Sequence, residues 1–288
     1  MEKPTVAFQG EAGSYSELAV SEHFGENVTT IPCQSFEDVF AAVSREGNLW
    51  GLIPIENSLA GSIHRNYDLM LHYDLHIVGE HYLRVSHCLL GLPGVKLEDI
   101  RRVISHPQAL SQCESNLKRM GLQPVAENDT AGSARIVREQ NEPHTAALAS
   151  RRAAQVNNLQ ILVESMEDNP ANFTRFLILA NQPVEVLDPQ AGDYKTSVVF
   201  SLKNHPGSLF KALSVFALRD IDLTKIESRP IQGKPWEYLF YVDFAGHMSQ
   251  MACERALGHL QELATFLRIL GSYPRYRMDL VEGQDLTL

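Results

Sequence analysis

Positive charge is scarce in this sequence. Its 25 Lys and Arg stand against 35 Asp and Glu, a formal net charge of -10 with His neutral. That balance excludes the basic face that a general phosphate-backbone binder needs. It leaves room for a small anionic ligand, which local cations and helix N-termini can hold. Cysteine is scarce too. Cys33, Cys88, Cys113 and Cys253 stand far apart, and no pair has the spacing of a zinc knuckle or a redox dithiol. They read as free thiols in a reducing compartment. No apolar stretch approaches the roughly 20 residues that span a bilayer. The start, Met1-Glu2-Lys3-Pro4, has no apolar signal-peptide core. A P-loop, a dinucleotide fingerprint and metal-ligand His/Cys spacing are all missing. The expectation is a cytoplasmic protein with no nucleic-acid or membrane partner, no metal and no cofactor.

What is present is an ordinary globular composition, 44% hydrophobic and 21% charged over 288 residues. That suits one large domain plus one small one, or two of medium size. Up to about residue 180, short apolar runs alternate with amphipathic segments. Thr5–Phe8, Val28–Ile31, Leu49–Ile55, Arg102–Ile104 and Leu159–Val163 read as strands, and Ser35–Arg45 and Ala109–Met120 as helices. The alternation predicts an α/β domain with a largely parallel sheet. Ser14 with Glu17 and Ser105 with Gln108 fit capping boxes, and Ser35 with Asp38 is a weaker version. Residues 181–195 carry two prolines and a glycine without helical period and read as a linker. After it come a strand at Thr196–Leu202, a helix opened by Asn204-His205-Pro206-Gly207, and a strand at Leu223–Ser228. A strand at Trp236–Phe244, a long helix at Met251–Leu270 and a strand at Tyr273–Met278 complete the order. This βαββαβ order is the ferredoxin-like arrangement.

The segment richest in chemistry is Asn172-Phe173-Thr174-Arg175-Phe176-Leu177. It gathers an amide, a hydroxyl and a guanidinium between two phenyl rings at the mouth of an apolar strand. Arg can fork onto a carboxylate with two parallel hydrogen bonds. The same residues also suit a plain strand start with a solvated Arg. The segment resembles the Asn-x-Thr-Arg-Phe signature of the prephenate dehydratases, and further blocks resemble that family in the same order. Gly10-Glu11-Ala12-Gly13-Ser14-Tyr15-Ser16-Glu17 is similar to its Gly-Pro-x-Gly-Thr-Phe-Ser-Glu. Pro54-Ile55-Glu56-Asn57-Ser58, His87-Cys88-Leu89-Leu90, Ser105-His106-Pro107-Gln108-Ala109-Leu110 and Ala147–Ala154 resemble four more. Gly207-Ser208-Leu209 and Glu227-Ser228-Arg229-Pro230 resemble the effector motifs of the family's ACT domain. Two residues depart from the pattern. Glu11 replaces a proline on a loop expected to face an anionic substrate, so its side chain is expected to turn outward. Ser208 replaces an alanine at a helix start.

The resemblance implies decarboxylating dehydration of prephenate to phenylpyruvate, on the route to L-phenylalanine, without metal or cofactor. It implies a hydrogen-bond donor role for Thr174 at the leaving oxygen, Arg175 as a carboxylate ligand, and Phe173 and Phe176 as a dry wall. With Asn172, the substrate set extends to Ser14, Asn57, Ser58, Ser105, Gln108 and Thr130, where strand-to-helix turns offer N–H groups to a carboxylate. Taken alone, each of these hydroxyls is equally suited to simple N-capping. His106 titrates near neutrality when unperturbed, but a His-Pro pair at a helix start also has a plain structural role.

By the same resemblance the fold is α/β. A catalytic domain over 1–182 is similar to two-lobed type II periplasmic binding proteins, with lobes of about 1–80 plus 160–182, and 81–159. A linker over 183–194 and a ferredoxin-like ACT domain over 195–278 follow. The family's helical chorismate mutase domain is not expected, because the first strand starts by Thr5. L-Phenylalanine is the expected allosteric effector, held by Asn204, Pro206, Gly207, Ser208, Leu209, Glu227, Ser228 and Arg229, in a homodimer or homotetramer. An arogenate dehydratase and a non-catalytic two-lobed amino-acid sensor remain as alternatives.

Overall fold

A computed structural model describes residues 3–186, 188–190 and 192–277. Leu187 and Ala191 of the predicted linker and Met278 of the predicted last strand lie outside the described residues. The chain divides into two compact units: residues 1–69 with 81–176, and residues 70–80 with 177–288. By this division residues 70–80 and 177–182 group with the C-terminal part.

The N-terminal elements run β1 (Thr5–Gln9), α1 (Tyr15–Phe24), β2 (Thr29–Cys33), α2 (Phe36–Arg45), β3 (Leu49–Asn57), β4 (Gly61–Ser62), α3 (His64–His72) and β5 (His76–Arg84). β1 is parallel to both β2 and β3, as expected where helices cross between strands. Val6, Ala7 and Phe8 are buried at its centre. Ser35 and Asp38 form the complete capping box of α2. At α1 the Ser14 hydroxyl caps the Glu17 N–H, but the Glu17 carboxylate reaches the N–H of Gly13 at 2.6 Å instead of closing a box.

The chain continues as β6 (Cys88–Gly91), β7 (Arg102–Ser105), α4 (Pro107–Gln112), α5 (Glu114–Arg119), β8 (Gln123–Ala126), α6 (Thr130–Gln140), β9 (Thr145–Ala149), α7 (Arg151–Asn157), β10 (Gln160–Val163) and β11 (Phe173–Ala180). These make a sheet ordered β10-β6-β9-β7-β8, while β11 enters the first sheet between β3 and β5. The β6–β9 and β6–β10 pairs are antiparallel and β7 is parallel to its neighbours, so this sheet is mixed rather than largely parallel. Both faces are apolar. Leu90, Ile104 and Ala147 pack toward Ala134 of α6 and Ala153 of α7, and Leu89, Val103 and Leu148 toward Leu110 of α4 and Leu117 of α5. The helix predicted over Ala109–Met120 is broken at Cys113, whose φ/ψ of -119/13 is not helical.

The C-terminal part comprises β12 (Tyr194–Leu202), α8 (Ser208–Ala217), β13 (Leu223–Pro230), β14 (Tyr238–Ala245), α9 (Met251–Leu263) and β15 (Ala264–Pro274). Their order in the sheet is β13-β14-β12-β15, the ferredoxin-like pattern that βαββαβ predicts. Val198, Phe200, Val242 and Phe244 face α8 and α9 on one side of it. The last elements differ from the sequence expectation: the helix stops at Leu263 and the strand begins at Ala264. Leu263, Leu267 and Leu270 also fit a helical stripe, but here Leu267 and Ile269 pair with Phe200 and Val198 along β12. A strand satisfies the β12 edge, which a continued helix would leave unpaired.

Candidate active site

A cavity of about 360 Å³ opens within the first unit. Its walls bring together Asn57, Gln108, Thr130, Asn172, Thr174 and Phe176 from the predicted set. β3 and β11 lie side by side, which sets Asn57 against the Asn172–Thr174 segment. The Asn57 amide nitrogen lies 2.7 Å from Asn172 Oδ1, 3.1 Å from the Phe173 carbonyl and 3.0 Å from Thr174 Oγ1. Its oxygen accepts from the N–H groups of Leu59 and Ala60 at 3.0 and 2.9 Å. Two backbone donors therefore fix the Asn57 amide with its nitrogen toward Thr174. Thr174 Oγ1 accepts there, which leaves its own hydrogen to donate elsewhere.

Other predicted residues stand outside these walls. Ser58 joins the strands by donating to the Ala171 carbonyl and accepting the Phe173 N–H, and Phe173 is half-buried. Ser14 caps α1. Ser105 is fully buried and donates to the Leu148 carbonyl at 2.6 Å. Pro107 takes the first helical position of α4, so the cap falls one residue later, on His106, whose Nδ1 accepts the Gln108 N–H. Arg175 does not line the cavity. Its side chain is 3% exposed, 3.3 Å from Glu56 and 5.9 Å from the Tyr82 ring centroid. Glu11 is held by Arg135 of α6 at 3.1 Å and half-exposed, in line with its expected outward turn.

Tyr15, His87 and Gln112 also line the cavity and escaped the sequence reading. The His87 ring lies 2.7 Å from the Tyr15 hydroxyl through Nδ1 and 2.9 Å from Gln112 Oε1 through Nε2. Gln112 Oε1 also accepts from Asn172 Nδ2 at 3.1 Å. Buried Glu167 accepts the His87 backbone N–H at 2.9 Å. Burial lowers the His87 pKa, against the opposing pull of the Gln112 hydrogen bond and the Glu167 charge. Burial, with nearby Cys88, Cys113 and Glu167, raises the Tyr15 pKa well above its ordinary value. Near neutral pH the pair is therefore uncharged. The blocks Gly10–Glu17 and His87-Cys88-Leu89-Leu90 cover Tyr15 and His87 in the sequence, but nothing local joins the two to each other or to Gln112.

The described residues contain no cluster of three or more His, Cys, Asp or Glu suited to a metal. No described helix is long and apolar enough to cross a membrane.

The family model for prephenate dehydratase matches residues 6–184, and the model for the ACT domain matches residues 196–250. The chain belongs to the prephenate dehydratase family. Among curated relatives, arogenate dehydratase/prephenate dehydratase 1, chloroplastic, of Arabidopsis thaliana is 50% identical over 97% of this chain and 73% of its own length. Arogenate dehydratase 2 of Petunia hybrida is 50% identical over 93% and 71%. Among solved structures, prephenate dehydratase of Arthrobacter aurescens in complex with L-Phe is similar, with a TM-score of 0.84 and 32% identity over 94% of this chain and 90% of that one. GqqA, described as a novel type of quorum quenching acylase, has a TM-score of 0.88 and 40% identity over 94% and 98%. The fold is thus that of a prephenate dehydratase, periplasmic-binding-protein-like, with a C-terminal ACT domain.

Proposed function

We propose that this member of the family converts prephenate to phenylpyruvate with loss of water and carbon dioxide. The ring carboxylate leaves as CO2, its bonding electrons complete the aromatic ring, and the ring hydroxyl departs as hydroxide, which takes one proton from solvent to become the water lost. Expelling hydroxide is the difficult part. The observation that carries the reading is the Thr174 hydroxyl, held as an acceptor by Asn57 with its hydrogen left to donate at the cavity wall. A threonine hydroxyl is too weak an acid to release a free proton at neutral pH. Its contribution is a hydrogen bond that strengthens as charge builds on the leaving oxygen, of about 3–4 kcal/mol.

Among the described residues lining the cavity there is no Lys or Arg. Carboxylates are therefore assigned to the start of α1, where Tyr15 and Ser16 line the cavity; the start of α6 at Thr130 already carries the Asp129 carboxylate, which caps the Gly132 N–H and lines the same cavity. Arg175, one residue past Thr174, adds positive charge behind the wall; forking onto a carboxylate requires it to release Glu56. Ser58 ties β3 to the Ala171–Phe173 backbone that leads into Thr174.

The ACT domain carries a cavity of about 330 Å³ at the start of α8, lined by Asn204, Gly207, Ser208 and Leu209 with Trp236 and Tyr238. L-Phenylalanine is proposed to bind there and to inhibit. Pro206, Glu227, Ser228 and Arg229 lie outside that cavity, the last three on the edge strand β13. Trp236 and Phe210 are 77% and 76% exposed beside it, which favours a second copy covering this face in a homodimer or homotetramer. A cytoplasmic location belongs to this reading as well, although several plant relatives are named chloroplastic.

Arogenate is the second candidate substrate. It shares the ring chemistry, and the plant relatives bear its name. Purified protein supplied with prephenate or arogenate separates the readings. The expected result is phenylpyruvate from prephenate, or phenylalanine from arogenate. Turnover of neither dienol overturns the proposal.

A further inference from the structure

Around the cavity, one chain of polar contacts can be assigned hydrogen by hydrogen, because its first member is pinned by backbone. The Asn57 oxygen accepts from Leu59 and Ala60, so its nitrogen must face Asn172 and Thr174. Asn172 must then present its oxygen to Asn57 and its nitrogen to Gln112. Gln112 must present its oxygen to Asn172, and that same oxygen lies 2.9 Å from His87 Nε2. Two acceptors cannot face each other, so His87 carries its hydrogen on Nε2. Its Nδ1 is left as an acceptor in the neutral ring. The Tyr15 hydroxyl stands 2.7 Å from Nδ1 and 3.0 Å from the Ser86 carbonyl oxygen; its one hydrogen goes to the nearer Nδ1, which would otherwise face the phenol oxygen lone pair to lone pair. Tyr15 and Glu167 are the titratable groups beside the ring, Arg84 pairs with Glu167 at 3.3 Å, and Cys88 and Cys113 act on Tyr15.

Every link in this chain is a side-chain amide or a single tautomer, so it carries no proton from His87 to Thr174. What it transmits is orientation. We propose that His87 is a positioning residue for Thr174: its Nε2 hydrogen fixes Gln112, which fixes Asn172, which holds the Asn57 amide against the Thr174 hydroxyl. This rests on the dehydratase reading of the same cavity. If His87 loses that hydrogen, Gln112 is free to turn its amide, two nitrogen donors then meet at Asn172, and the Asn57–Thr174 contact loosens. The sequence hides this arrangement, since Tyr15 starts α1, Gln112 ends α4, and His87 and Asn172 stand in the loops just before β6 and β11.

Three observations test it. In wild-type protein with isotope-labelled histidine, nitrogen NMR near neutral pH should show His87 as the neutral Nε2–H form; an Nδ1–H form or a charged ring overturns the proposal whether or not the protein turns over prephenate. His87→Leu should lower kcat about tenfold or more with KM within a few-fold, the size of one lost hydrogen bond in the transition state. His87→Gln, whose amide restores a donor near Nε2, should recover most of that loss. The deciding measurement is the double-mutant cycle with Thr174→Ala. If His87 acts through Thr174, His87→Leu adds almost nothing to the Thr174→Ala defect. Should His87→Leu fail to fold, Gln112→Leu cuts the same chain one link further on and enters the cycle in its place. Additive losses, or an unchanged kcat in the folded variants, overturn the proposal. Absence of turnover in the wild type overturns the dehydratase reading instead, and the NMR arm still decides the tautomer.

Discussion

Among single residues, the Thr174 hydroxyl on the cavity wall is central to the chemistry proposed. Thr174→Ala should lower kcat by about 10² or more while KM stays within a few-fold, because that hydrogen bond forms chiefly in the transition state. Steady-state kinetics on folded protein checks it; a KM effect with kcat intact would make Thr174 a ground-state contact only. Thr174, Asn57 and Asn172 were legible because a family signature marks them, and β3 beside β11 then brings them together. Tyr15, His87 and Gln112 were not, because an imidazole in a sequence gives no sign of which phenol or amide will face it. Ser105 shows the opposite limit. Its spacing to Gln108 fits a capping box, yet Pro107 shifts the cap to His106 and the hydroxyl goes to Leu148. Arg175 reads as an anion ligand but lies beside Glu56, a pairing across two strands that no local pattern encodes.

At the scale of elements, strand-to-helix turns decide where the site residues stand, and two glycines allow a clean comparison. Gly13 has φ +90, and an added Cβ would lie 2.8 Å from Ala153 Cα. Gly25 has φ +80 with nothing within 4 Å. Gly25 combines φ 80 with ψ 174, a region that essentially only glycine occupies, so Gly25→Ala should cost about 1–3 kcal/mol from backbone strain alone, while Gly13→Ala adds a backbone clash to its positive-φ strain and should cost more. Urea unfolding of both variants measures the difference, and equal costs would contradict the packing of the Gly13 turn on α7. Gly207 at the start of α8 has φ +80, again with nothing within 4 Å. Gly207→Ala should thus strain the loop that lines the effector cavity and weaken L-phenylalanine binding several-fold, with little change in uninhibited turnover; equilibrium dialysis and initial rates report the two effects. The order of elements was readable from periodicity, and the misplaced boundary between α9 and β15 shows where it fails. Leu263, Leu267 and Leu270 suit a helical stripe, but β12 needs a neighbour, and pairing overrides the local pattern.

At the scale of the whole molecule, the C-terminal unit includes residues 70–80, and a buried ion pair joins them to the ACT sheet. Lys195 Nζ lies 2.7 and 2.8 Å from the two Glu80 oxygens, with side chains 4% and 0% exposed. Glu80 also accepts the Tyr276 N–H. An added Cβ on Gly271 would lie 2.0 Å from the Ile77 carbonyl oxygen, so β15 runs against this segment closely enough to require glycine. Lys195→Met leaves a buried carboxylate facing a thioether and should destabilise the protein by about 3–5 kcal/mol, read as a lower urea midpoint; an unchanged midpoint would contradict the pair. The grouping of residues 70–80 with the C-terminal unit was invisible in the sequence, since it depends on a Lys and a Glu 115 positions apart. Catalysis is assigned to the first unit and L-phenylalanine sensing to the second. The most direct test of that assignment is the initial rate of phenylpyruvate formation from prephenate by the full chain, measured as L-phenylalanine is raised. The account predicts turnover that falls with L-phenylalanine and is not restored by excess prephenate. No phenylpyruvate, or inhibition that excess prephenate fully reverses, would contradict it.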